Sequence, residues 1–148
     1  MAGTVALSKI LHVRENEKQD AQKAYQLAVD SFEDTATKLY NLLRKKEAVE
    51  ELYENSLHKP TSIETIREQA GYMDMLNAQV NILQVDVQHA RGKMESKHEE
   101  LKTAHVEVKK FEKIIEHRDT DRIQLMKKNE AVSMDEISVQ QYLSRKIR

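Results

Sequence analysis

The fold of this chain is decided by residues 66–115, which read IREQAGYMDMLNAQVNILQVDVQHARGKMESKHEELKTAHVEVKKFEKII. Every seventh residue of this stretch is apolar, although only 39% of the chain is hydrophobic. These eight residues are Ile66, Met73, Val80, Val87, Met94, Leu101, Val108 and Ile115. A second, mostly apolar series stands three residues after them, and this alternating spacing keeps one stripe of a helix facing a partner helix. The stretch therefore predicts one long coiled-coil helix.

A weaker stripe with the same spacing lies in the first part of the chain; we call each such stripe a seam. The apolar members of this first seam are Leu7, Leu11, Ala21, Tyr25, Ala28, Phe32, Leu39, Leu42, Val49 and Tyr53. Polar residues occupy the same register at Arg14, Lys18, Thr35, Lys46 and Ser56. The continuous register predicts a second coiled-coil arm.

The only proline of the chain separates the two arms. Pro60 lacks a backbone donor and biases the residue before it away from helical geometry. Thr61 and Glu64 have the spacing of a capping box, which predicts a new helix with Thr61 as its cap. The two seams have nearly equal lengths, so a chain reversal at Pro60 pairs them along that length. We therefore predict an all-α fold, a long antiparallel two-helix coiled-coil hairpin with a C-terminal helical extension.

We predict that residues 1–148 form a single domain with four segments. They are a first arm over about 5–58, a turn at 59–62, a second arm over about 63–128 and a C-terminal segment at 129–148. In the last segment Ser133 and Glu136 repeat the capping-box spacing, and Ile137, Tyr142 and Leu143 predict a short amphipathic helix. Such a segment can be frayed alone and ordered by a partner.

The composition argues against catalysis and against nucleic-acid binding. Charged residues make up 33% of the chain, which has only three glycines and one proline. Such a chain is expected to form a slim helical rod without a deep pocket, and this disfavours an enzyme. The 24 basic and 25 acidic residues are interleaved, so no basic surface predicts a nucleic-acid partner.

Cofactor, metal and membrane sites are not predicted either. The six histidines are scattered, and no cysteine is present to supply a thiolate ligand. No glycine-rich phosphate loop occurs, so we expect neither a cofactor nor a catalytic residue. The N-terminus lacks the pattern of a signal peptide, and no apolar run approaches membrane-spanning length. We therefore expect a soluble cytoplasmic protein without direct membrane insertion.

A second apolar stripe points away from the predicted seams. Its members are Met75, Ala78, Ile82 and Val85 on the second arm and Val29, Ala36, Tyr40 and Leu43 on the first. Apolar side chains outside the seam call for another surface to cover them. Self-association into a four-helix bundle and docking of a different protein both meet this requirement, and scattered exposure is the third interpretation.

Three short segments carry a family resemblance. The first arm contains LSKILHVRENE at 7–17, the second arm contains EVKKFEK at 107–113, and MDEI stands at 134–137. Together with a two-arm layout broken near Pro60, they resemble the FliJ family of flagellar type III export proteins over almost the whole chain. The resemblance implies a coiled-coil hairpin without enzymatic activity, acting as an export-ATPase stalk and general chaperone.

The resemblance also implies partners and contact residues. The terminal end of the hairpin is expected to enter the pore of the hexameric flagellar export ATPase FliI, through Leu7, Ile10, Leu11, Phe111 and Ile115. The surface nearer the turn is expected to contact the export gate protein FlhA and export chaperones. Its implied contact residues are Lys38, Leu42, Lys45, Val49, Tyr72, Leu76, Gln79 and Leu83. The expected location is the cytoplasmic face of the cell membrane at the flagellar base.

Other roles share the same pattern. The equivalent stalk of a virulence injectisome would have the same hairpin, and a self-associating structural coiled coil would have the same periodicity. A prefoldin-like chaperone also has two long helices, but it needs β-hairpins for which the turn region is too short. The residues themselves leave the flagellar, injectisome and structural interpretations open.

Overall fold

A computed structural model of the protein describes residues 2–147. Two helices make up the fold: α1 spans Ala2–Leu57 and α2 spans Ile63–Ile147. No strand occurs between residues 2 and 147, and the two helices pack against each other. The predicted all-α helical hairpin is therefore confirmed.

The turn is closed by hydrogen bonds at the end of α1. The backbone N–H of His58 donates to the carbonyl oxygen of Asn55 at 3.2 Å. The Thr61 hydroxyl lies 3.0 Å from the Ser56 carbonyl oxygen and 3.2 Å from that of Lys59. These contacts satisfy carbonyl groups that the end of a helix leaves without intrahelical partners. Thr61 therefore stabilises the end of α1.

The cap of α2 is Ser62, and the prediction that Thr61 caps this helix was wrong. The backbone N–H of Thr65 donates to Ser62 Oγ at 3.2 Å, and the backbone N–H of Ile66 donates to the Ser62 carbonyl oxygen at 3.2 Å. Because α2 begins at Ile63, Thr65 is the third residue of the helix, which is the usual partner of an N-cap hydroxyl. The Thr61 hydroxyl is already directed to α1.

Replacing Ser62 by alanine should lower the free energy of unfolding by about 1 kcal/mol. The Thr65 N–H would lose its acceptor, and the first turn of α2 would be held less firmly. Urea denaturation of the full chain followed by circular dichroism measures this change. Ser8→Ala, at an exposed serine inside α1, is the matched control and should change stability by less than about 0.5 kcal/mol. Equal losses in both variants would contradict the capping role.

The chain forms two compact units. One of them comprises Gln19–Thr103, and we call it the turn unit. Its most buried side chains are Ala28, Leu76 and Val80, all on the predicted seams. Contacts between its helices run in opposite order along α1 and α2, as an antiparallel pairing requires. They join Tyr25 to His98, Lys45 to Tyr72 and Ser56 to Gln69.

Two polar residues in the first seam of the turn unit, Thr35 and Lys46, are half-buried and have partners within their own helix. Thr35 Oγ1 donates to the Ser31 carbonyl oxygen at 2.8 Å, and Lys46 Nζ lies 3.7 Å from a carboxylate oxygen of Glu50. Such local partners reduce the penalty of placing polar groups beside apolar ones. The register of the first seam thus continues through these positions, as the spacing predicted.

The second unit consists of the chain up to Lys18 and from Ala104 onward; we call it the terminal unit. Val108 is buried, and the Arg14 guanidinium lies over the Phe111 ring, 5.8 Å from its centroid. A Cβ atom at Gly3 would come within 2.7 Å of Arg118 Nη1, so the arginine lies directly against this glycine. The two pairs again run in opposite order along the helices.

The last part of α2 extends from Ile123 to Lys146 with every side chain exposed; we call it the tail. The separate short helix expected after Ser133 is wrong, because α2 continues through this residue to Ile147. Residues 123–146 contain neither glycine nor proline, so nothing in the backbone interrupts the helix. The Ser133–Glu136 spacing marks a helix start only where the preceding residues leave the helix.

Candidate functional site

A shallow groove of about 490 Å³ between α1 and α2 is the candidate site in the turn unit; we call it the lysine groove. Its lining residues are Lys38, Asn41, Leu42, Lys45, Gln79, Ile82 and Leu83. Leu42 and Leu83 are half-buried seam residues, whereas Ile82 is 63% exposed. Two seam leucines and one exposed isoleucine thus provide apolar surface among polar side chains.

The charges at the lysine groove are of one sign. Of the described residues that line it, only Lys38 and Lys45 are charged, and their seven-residue separation places them on one side of α1. Lys38 Nζ lies 3.4 Å from Asp34 Oδ2, with both side chains exposed. Lys45 Nζ lies 5.7 Å from the centroid of the Tyr72 ring, which is within cation–π range. The groove therefore presents positive charge at an apolar surface.

Five of the eight implied gate contacts come together at this groove. They are Lys38, Leu42, Lys45, Gln79 and Leu83. Tyr72 adjoins them through its contact with Lys45, and Val49 is half-buried in the seam. Leu76 is only 1% exposed, so it supports the surface from below and is not available for direct contact with a partner.

Two members of the outward apolar stripe lie at different grooves. A second groove is lined by Leu39, Asn81, Gln84, Val85, Val87 and Gln88; we call it the amide groove. Ile82 lines the lysine groove and Val85 the amide groove, because three residues along a helix turn the side chain by about 300°.

The other members of the predicted stripe lie outside both linings. Met75 and Tyr40 are exposed, Leu43 is half-buried, and the Arg44 guanidinium lies 5.9 Å from the centroid of the Tyr40 ring. The sequence spacing identified exposed apolar residues correctly at Met75, Ile82, Val85 and Tyr40. It could not assign them to separate grooves, since that depends on how α1 and α2 pack.

The terminal unit has a groove of the opposite charge, which we call the acidic groove. It is lined by Leu11, Glu112, Ile115, Glu116, Asp119, Thr120 and Ile123. Of the implied pore-end residues, Leu11 and Ile115 line this groove, while Leu7 and Phe111 are half-buried and Ile10 is 39% exposed. Sequence reasoning missed the three carboxylates. Their spacing of four and three residues along α2 is the signal that could have identified them.

The part of the chain that the structure describes contains neither a metal site nor a membrane-spanning helix. Within residues 2–147 no group of three or more His, Asp or Glu side chains is placed to hold a metal ion. Neither of the two described helices contains a stretch apolar and long enough to cross a membrane.

Comparisons with known proteins give one consistent result. A family model described as flagellar FliJ protein matches residues 3–146. The chain is also 34% identical over 143 residues to a protein of Bacillus subtilis (strain 168) described as flagellar FliJ protein, covering 97% of each sequence. No solved structure matches the chain significantly.

Proposed function

Because this chain belongs to the FliJ family of flagellar export-related proteins, we propose that it is a non-enzymatic stalk of the flagellar export apparatus. In this role the terminal unit binds the pore of the hexameric export ATPase FliI. The turn unit contacts the export gate protein FlhA and export chaperones through the lysine groove. The protein works in the cytoplasm, at the periphery of the membrane that carries the gate. The family match favours this role over an injectisome stalk.

The observation that carries the proposal is the convergence of implied gate contacts on one groove. Lys38, Leu42 and Lys45 come from α1, and Gln79 and Leu83 come from α2, more than thirty residues later in the chain. Their convergence requires the antiparallel hairpin, and a different pairing register would separate them. An exposed apolar surface that is flanked by polar side chains is also typical of a protein-binding site.

A stalk of this kind couples its partners by differential contacts. The ring supplies every catalytic group and changes conformation as it turns over ATP. If the terminal unit binds one conformation of the ring more tightly than another, the ring's state and the binding of the stalk become linked. The gate then responds to ATP turnover through its contact with the turn unit. The apolar and acidic side chains of the terminal unit are suited to contact with a pore.

Two exposed isoleucines allow this division of roles to be tested. Ile10→Asp should abolish most of the stimulation of ATP hydrolysis by the purified hexameric export ATPase while leaving binding to the soluble domain of the gate protein intact. Ile82→Asp should have the reverse effect, because its charge lies at the lysine groove. Both positions are exposed, so both variants should keep the helical content of the parent. Loss of both activities in either variant would contradict the assignment of one partner to each unit.

A further inference from the structure

The lysine groove has a chemistry that specifies the kind of segment it binds. Its apolar surface is formed by Leu42, Ile82 and Leu83. Among the residues that the structure describes, Lys38 and Lys45 are the only charged ones in its lining, which contains no carboxylate. We propose that the groove binds an acidic amphipathic helix of the export gate protein. An apolar side chain of that helix packs among the three aliphatic residues, and its carboxylates lie at the two lysines. This inference rests on the proposed function, since it describes the partner of the same site.

The two ammonium groups are available to an incoming carboxylate. Among the residues that the structure describes, Lys45 has no carboxylate partner, and its contact with Tyr72 holds it near the groove. Lys38 is paired with Asp34 at 3.4 Å, but both side chains are exposed and such surface pairs are weak. A partner carboxylate can replace that interaction. The nearest carboxylate along α2, Asp86, lies beyond Leu83 and does not line the groove.

The spacing of the lysines defines the pattern in the bound helix. Lys38 and Lys45 are two helical turns apart, or about 10 Å along α1. A helix that lies along the groove can therefore place one carboxylate at each lysine if the two carboxylates are seven residues apart. An aliphatic residue midway between them then faces the apolar side chains of the groove. Asn41 and Gln79 lie between the charged positions and can hydrogen-bond to polar side chains of that helix. Helix-in-groove recognition of this type uses apolar anchors for affinity and flanking charges for orientation.

The test uses the full-length chain and two synthetic helical peptides of equal length. One carries glutamates seven residues apart with leucine midway, and the other carries lysines in place of the glutamates. Fluorescence anisotropy should show the acidic peptide binding at least about tenfold more tightly, with an affinity that falls as salt is raised. The double variant Lys38→Glu, Lys45→Glu should reverse the preference, and the neutral double variant Lys38→Gln, Lys45→Gln should remove it.

The matched control is Lys102→Glu, at an exposed lysine of the turn unit whose ammonium lies 3.4 Å from Glu99. It should leave both peptide affinities unchanged. Equal binding of the two peptides, absence of binding by the acidic one, or an equal effect of the control would overturn the inference.

The soluble domain of the gate protein separates the failure of this inference from failure of the proposed function. If that domain binds the full chain and Ile82→Asp weakens binding but both lysine double variants do not, the groove is the gate site and its charge preference is wrong. If the domain does not bind the full chain at all, the proposed function fails, whatever the peptides do. The expected result is binding that the charge-reversed double variant weakens at least about tenfold.

Discussion

Replacing Leu76 by alanine should lower the free energy of unfolding by about 3 kcal/mol, the largest loss expected from any single truncation in this chain. Leu76 is 1% exposed and is the one fully buried large side chain between residues 3 and 146. Removal of a buried leucine side chain loses its transfer free energy and leaves a cavity, which together amount to roughly 2–5 kcal/mol. A hairpin with few buried residues has little other apolar burial to offset the loss. Urea denaturation of the full chain measures it.

The neighbouring residue supplies the control. Met75 is 48% exposed, and Met75→Ala should change stability by less than about 0.5 kcal/mol. A loss at Met75 as large as that at Leu76 would mean that another surface covers Met75 in solution, which would favour self-association. Because Leu76 is also one of the implied gate contacts, any weakening of gate binding in Leu76→Ala should follow the loss of helical structure and should disappear at temperatures where the variant is fully folded.

Amide hydrogen exchange should be at least about a hundredfold faster in the tail than at Leu76 to Leu101 in the turn unit. The side chains from Ile123 to Lys146 are exposed, so the tail has little tertiary packing. Most of the stability of a helix in a protein comes from tertiary packing, which the tail lacks, whereas opening of a packed seam requires a large part of the global free energy of unfolding. Exchange followed by mass spectrometry of peptide fragments measures both segments in one experiment.

A truncated chain provides an independent check on the tail. Deletion of the residues from Ile123 onward should leave the thermal midpoint of the remaining hairpin within a few degrees of its original value, because no seam residue is removed. If exchange in the tail is as slow as in the seam, something covers the tail. Repeating the measurement after tenfold dilution would then identify a second copy of the chain as the covering surface, since protection by self-association falls with concentration.

The seam was predictable because its signal repeats many times. Residues such as Val80 and Val108 recur at a fixed spacing, and the pattern needs no knowledge of any other part of the chain. The turn was predictable for a different reason: Pro60 is unique and incompatible with a helix interior. Local hydroxyl chemistry was less predictable. Thr61 and Ser62 are both good caps, and only the path of the backbone decides that Ser62 caps α2.

The grooves depend on information that the spacing does not contain. Ile82 and Val85 belong to one stripe when α2 is considered alone, but the position of α1 places them on different grooves. The charge of the lysine groove likewise arises because Lys38 and Lys45 of α1 lie beside Gln79 of α2. The set of side chains at this groove therefore depends on the packing of both helices and not on the sequence of either one alone.

The position of the turn also determines how soon each contact between α1 and α2 can form while the chain is being synthesised. Ser56 and Gln69 are 13 positions apart and can meet as soon as both have emerged from the ribosome. Arg14 can contact Phe111 only after close to a hundred further residues have been synthesised. At roughly 5–20 residues added per second, the beginning of α1 remains uncovered for several seconds. The N-terminal seam is thus the segment that nascent-chain chaperones should protect, and translation pauses beyond Pro60 should increase its aggregation.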